Sequence, residues 1–168
     1  MVMPPTFSEK DTLNAIIETP RGSRNKYNFE KASRLFLLKK ILPPGLCFPL
    51  DFGFVPHTKA EDGDPLDVLV FMEEPGFPGC LVECRVIGII TAEQTKEEKL
   101  IRNDRVLSVS VNSKQFENLK EISDVSKEFL DDIGRFFETY HRLEGSSWKV
   151  LEILNYEKAI KLIKKNMH

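Results

Sequence analysis

For its first two-thirds the chain runs in short apolar segments cut by glycine and proline, and only toward its end does it settle into a helical period. Segments 26–29 and 35–38 predict short strands, and 46–54 is an aromatic-rich extended stretch broken by Pro49 and Gly53. Strands follow at 67–72 and 80–91, with Pro75-Gly76-Phe77-Pro78-Gly79 as the turn between them, and 106–111 ends the series. Ser123 or Asp124 is placed to cap a helix on which Val125, Phe129, Ile133, Phe136 and Tyr140 keep one apolar face. After a strand over 148–154, Asn155 caps a second helix. There Ala159, Ile160 and Ile163 face inward, and Lys161, Lys164 and Lys165 sit near the end where the helix dipole favours them. Closely spaced short strands suggest a small barrel, so the expectation is a single α+β domain spanning 1–168.

A run of acids interrupts this pattern. Asp62-Gly63-Asp64-Pro65-Leu66-Asp67 leads directly into Val68-Leu69-Val70-Phe71-Met72, putting three carboxylates at the mouth of an apolar strand. Gly63 allows a tight turn and Pro65 stiffens it, so the acids cannot splay apart. Carboxylates this close repel unless a proton or cation sits between them. An all-oxygen set suits a hard divalent cation such as Mg2+, with Mn2+ as the second choice. An EF-hand loop is excluded. Counted from Asp62, Leu66 falls at the fifth position, Asp67 where glycine is needed at the sixth, and a strand follows instead of a helix.

Composition narrows the options further. The 168 residues carry a net charge of −2, which gives no overall attraction to nucleic acid or anionic membrane. No apolar run approaches spanning length, and the first five residues lack the basic start and apolar core of a signal peptide. Three cysteines (Cys47, Cys80 and Cys84) fit a reducing compartment, and no histidine stands near them to complete a zinc site. The cytoplasm is therefore the expected location. A barrel face carrying aromatic residues could in principle stack nucleic-acid bases, but the acid triplet and the charge balance oppose it.

Four further features stand around the acid run: Glu18-Thr19-Pro20 ahead of Lys26-Tyr27, the stretch Phe48-Pro49-Leu50-Asp51-Phe52-Gly53-Phe54, Glu97-Glu98-Lys99, and Phe136-Phe137-Glu138-Thr139-Tyr140 on the first helix. In this order and spacing the chain resembles the soluble family I inorganic pyrophosphatases, from Glu18 to the C-terminal helix, most specifically through 62–70. The resemblance implies a five-stranded OB-like β-barrel with two flanking C-terminal helices, and Mg2+-dependent hydrolysis of pyrophosphate by a metal-bridging water. It makes Asp64 the general base, Asp62 and Asp67 central metal ligands, Glu97 or Glu98 a third, and Glu18 the ligand of an outer metal. Glu93 or Ala92 falls at a further acidic position of the family, and Lys26, Lys40, Lys99, Tyr140 and His141 fall at phosphate-binding positions.

Departures from the family pattern fall on functional positions. Asn28 stands for a glutamate, Lys40 for an arginine, Phe48 and Phe52 for tyrosines, and His141 for a lysine. His141 is expected to titrate near neutrality where the family has a fixed charge. The loop after the long strand has neither aspartate nor glycine. These losses motivate an alternative: a diverged relative with little pyrophosphatase activity that binds or hydrolyses another small phosphorylated ligand. The family commonly forms hexamers with histidines at the helix contacts. Arg135 and Thr139 hold those positions here, so a homo-oligomer is expected without a defined symmetry.

Overall fold

The structure, a computed structural model, describes residues 2–168; Met1 of the expected domain lies outside them. In chain order the strands are β1 (Phe7–Glu9), β2 (Thr12–Thr19), β3 (Asn25–Glu30), β4 (Leu35–Ile41), β5 (Asp51–Phe54), β6 (Asp67–Phe71), β7 (Leu81–Lys96), β8 (Lys99–Arg102) and β9 (Arg105–Ser110). Helix α1 (Lys127–Leu143), strand β10 (Ser147–Asn155) and helix α2 (Tyr156–Asn166) complete the chain.

Strands β2, β5, β6, β9 and β7 form a ring, because β7 pairs with β2 as well as with β9. This is the five-stranded barrel expected, with β1 added to β2, and β8 and β10 added to β7. Only β6 and β9 run parallel within the ring; Asp67 stands opposite Arg105 in their register. Strand β7 can close the ring because of its length. Its first residues pair with β2, its middle with β9, and its far end with β10 and β8. Gly53 is required where β5 meets β2, since a Cβ there would lie 2.0 Å from the Ile16 carbonyl oxygen.

The ring strands are apolar on both faces. Leu69, Phe71, Leu107 and Val109 pack with α1 through Ile133 and Phe137, whereas Val68, Val70 and Val106 pack with α2 through Ala159 and Ile163. Burial on both sides explains why β2 shows no alternation and why no strand was expected at 12–19: Leu13 through Thr19 are all buried.

Several boundaries differ from expectation. The long strand continues to Lys96 and turns back through the unexpected β8. Ser126, not Ser123 or Asp124, caps α1 by accepting from the Phe129 N–H. Residues Ile122–Asp124 form a separate 3-10 turn in which the Asp124 carboxylate accepts from Lys120 and Glu121. Extended backbone at Val125 parts the two. Asn155 caps α2 as expected.

Candidate active site

A cavity of about 620 Å3 opens beside the ring. Glu18 enters from the end of β2, Lys26 from β3, Asp62 and Asp64 from the acidic turn, Asp67 from the start of β6, and Arg105 from the start of β9. Tyr140 and His141 reach it from α1. The strand register explains the central pair: Asp67 and Arg105 are direct neighbours on parallel strands, with the Arg105 Nη1 3.2 Å from the Asp67 carboxylate.

Two cations are built into the walls. Lys26 is 6% exposed; its Nζ lies 3.6 Å from Glu18 and 4.0 Å from the centre of the Phe52 ring. Burial lowers its pKa, and the neighbouring Glu18 and Asp67 work against that. Glu18, 8% exposed, also accepts from the Phe29 N–H at 2.7 Å; burial raises its pKa, against the pull of Lys26. Arg105 is 3% exposed, its guanidinium 4.4 Å from the Phe137 ring and 5.0 Å from Trp148. Nη1 also donates to the Asn103 backbone and side-chain oxygens, while Nη2 stands 3.4 Å from the His141 ring.

Electrostatics sets the protonation of this wall. Burial pushes the Asp67 carboxyl up to about 6 despite Arg105 and Lys26 beside it. Burial also pushes His141 down to about 3, helped by Arg105 and Lys40. The expected titration of His141 near neutrality is therefore corrected: the ring is neutral there because burial disfavours its charged form and two cations stand nearby. Tyr140 keeps its proton far above neutral pH, chiefly through burial. Lys40 stands at the rim, 3.9 Å from the Tyr140 ring centre and paired with Glu144. Phe48 and Phe52 pack among the α1 aromatics as well as bordering the cavity.

Glu18, Asp62, Asp64, Asp67, Lys26, Tyr140 and His141 are thus brought together, with Lys40 beside them. Glu93, Glu97, Glu98 and Lys99 are not. Gln94 and Lys96 of β7 border the cavity, and alternation turns Glu93 to the other face. Glu97 and Glu98 form the tip of the β7–β8 hairpin, both at positive φ (50° and 63°), and Lys99 starts the outgoing strand, exposed. Besides Lys96 at its border, the cation this part of the chain buries in the cavity wall is Arg105. Its signal in the sequence was the run Val106-Leu107-Ser108-Val109, which Arg105 precedes as Asp67 precedes Val68-Leu69-Val70-Phe71.

The donor set fits a hard cation on one side only. Asp62, Asp64 and Asp67 supply oxygens, and Mg2+ commonly takes one or two carboxylates and completes its shell with water and phosphate oxygens. Among the described residues no three His, Cys, Asp or Glu side chains form a ready cluster. The facing wall is made of amides and cations: Asn103 donates to the Gln94 side chain, Arg105 lies alongside, and Asp104 is taken up by Arg102 and the Ala92 N–H.

Fold and site together define the class: an enzyme on a small closed barrel, with acids and buried cations sharing one cavity. The chain belongs to the inorganic pyrophosphatase family, whose model matches residues 15–168. It is 37% identical over 153 residues to the inorganic pyrophosphatase of Synechocystis, covering 91% of this chain and 86% of that protein. The Halalkalibacterium halodurans inorganic pyrophosphatase is 36% identical over 155 residues, covering 92% and 93%. Among solved structures, the Thermus thermophilus inorganic pyrophosphatase superposes with a TM-score of 0.89 at 33% identity, covering 98% of this chain and 94% of its own. The Helicobacter pylori enzyme gives 0.87 at 30% identity, covering 98% and 96%.

Proposed function

We propose that this protein hydrolyses inorganic pyrophosphate to two phosphates, with Mg2+ (or Mn2+) and with Asp64 as general base. The observation that carries the proposal is the single cavity in which Asp62, Asp64 and Asp67 face the buried cations Lys26 and Arg105. When bound, the divalent cation supplies neutralisation of the phosphate charge and Lewis-acid polarisation of phosphoryl oxygen. Asp62 and Asp67 would hold it. Asp64 accepts a proton from the attacking water as its oxygen bonds to phosphorus and the bridging P–O bond breaks. Arg105 and Lys26 offset the charge that collects on the departing phosphate, and Tyr140 donates a hydrogen bond from a phenol that stays protonated. Lys40 adds charge at the rim, where neutral His141 serves as a hydrogen-bonding neighbour of Arg105.

Phosphate release from pyrophosphate, with Mg2+ and with chelator, tests this beside Asp64→Asn. Release that needs the metal and falls by 100-fold or more in the variant, about the share a general base contributes, is the expected result. An undiminished Asp64→Asn enzyme sinks the assignment. We place the protein in the cytoplasm and as a homo-oligomer. No described helix is long and apolar enough to cross a membrane, and Leu35, Leu37 and Ile41 of β4 are exposed as an apolar strip suited to a second copy.

A further inference from the structure

We infer that the wall around the buried Arg105 guanidinium does not fit a divalent ion, so that the protein binds at most one divalent ion before substrate arrives. The inference rests on the hydrolase reading above for the use of that cavity, and on four observations of this wall. Arg105 is buried and held in place, against the edge of the Phe137 and Trp148 pair and against Asp67 at 3.2 Å. Asn103, the polar residue nearest it, is a neutral amide whose oxygen already accepts from Nη1 and whose NH2 is spent on Gln94. Asp104, the one carboxylate in that turn, is committed to Arg102 and to the Ala92 N–H. Ala92 itself offers no donor atom, and Glu93 turns away.

A divalent ion at this wall would have to displace a fixed positive charge and take amide oxygens in place of carboxylates. Both work against it, since like charges at this range repel strongly in a buried setting and Mg2+ gives up water reluctantly for neutral ligands. Arginine keeps this repulsion in place because it cannot lose its proton. Its Nε is buried and has no acceptor among the described residues. The guanidinium thus already offsets part of the Asp67 charge without a metal.

Mn2+ counted per chain by equilibrium dialysis, on full-length protein without phosphate, tests this. The wild type should bind no more than one ion. Asn103→Asp with Arg105→Gln, which introduces a carboxylate and removes the charge, should bind one more than the wild type. Asn103→Asp alone should bind no more than the wild type, because the guanidinium charge remains. Two or more ions in the wild type, a gain in Asn103→Asp alone, or no gain in a folded double variant would each overturn the inference. If the double variant does not fold, the other two proteins still decide. Pyrophosphate hydrolysis by the wild type is measured separately. Its absence would remove the hydrolase reading while leaving the ion count to judge Arg105.

Discussion

Removing one partner of the Asp67–Arg105 pair should cost far more than removing both. The two groups meet at 3.2 Å, Arg105 almost wholly buried and the Asp67 side chain 24% exposed. Breaking a buried ion pair from one side costs about 3–5 kcal/mol, because a charge is left without compensation; an apolar replacement of both costs much less. Solvent reaching Asp67 lets an orphaned carboxylate rehydrate, so Arg105→Met should cost about 3 kcal/mol, at the low end of that range. Asp67→Asn strands an almost wholly buried guanidinium and should cost about 4 kcal/mol. The double variant should recover about 2 kcal/mol or more relative to the sum of the two. Urea denaturation in chelator, with the slope checked for constancy, measures all four proteins. Costs that simply add, with coupling under about 0.5 kcal/mol, would refute the pair and the picture of Arg105 as the charge that Asp67 relies on. Activity cannot substitute for this assay, since both residues belong to the site.

Two further outcomes follow from features away from the cavity. The Glu97-Glu98 turn holds both residues at positive φ, a conformation that Asn-Gly adopts more readily. Glu97→Asn with Glu98→Gly should therefore stabilise by about 1 kcal/mol in a thermal melt while leaving pyrophosphate hydrolysis unchanged; lost activity would return these glutamates to the site. Glu73 accepts from the Gln115 N–H, with the Ser113 hydroxyl and the Lys114 N–H assisting, and is held down to about 2 against an ordinary 4.5. A depressed carboxylate contributes stability above 4.5 that is lost as the pH falls toward 2. The gap between wild type and Glu73→Gln should thus be full at neutral pH and close on acidification. A gap that stays constant across the titration would contradict it.

The acidic turn and the two helices were legible because their signals are local. Asp62 to Asp67 lie within one turn, and the period of Ile133, Phe136 and Tyr140 needs no partner to be seen. Strand β2 was not, because alternation vanishes when both faces are buried, and that burial depends on elements distant in sequence, α2 among them. Glu18, which borders the cavity, was nonetheless singled out, since its neighbours Thr19-Pro20 and Lys26 carry the resemblance without requiring the strand.

The loop after β7 shows where local reading fails. A lysine following two glutamates looks like the phosphate-binding cation, and only pairing decides otherwise. Residues 99–102 return along β7, and this places the next strand's first residue, Arg105, opposite Asp67. The consequence is chemical as well as geometric. A flexible exposed lysine would have reached for substrate when needed, whereas Arg105 is packed against Phe137 and Trp148 with no ligand present. Charge that is already in place costs no reorganisation when phosphate arrives. It also repels any second cation from the same wall. The hairpin that hid Arg105 from the sequence is therefore the element that sets the cation balance of the site.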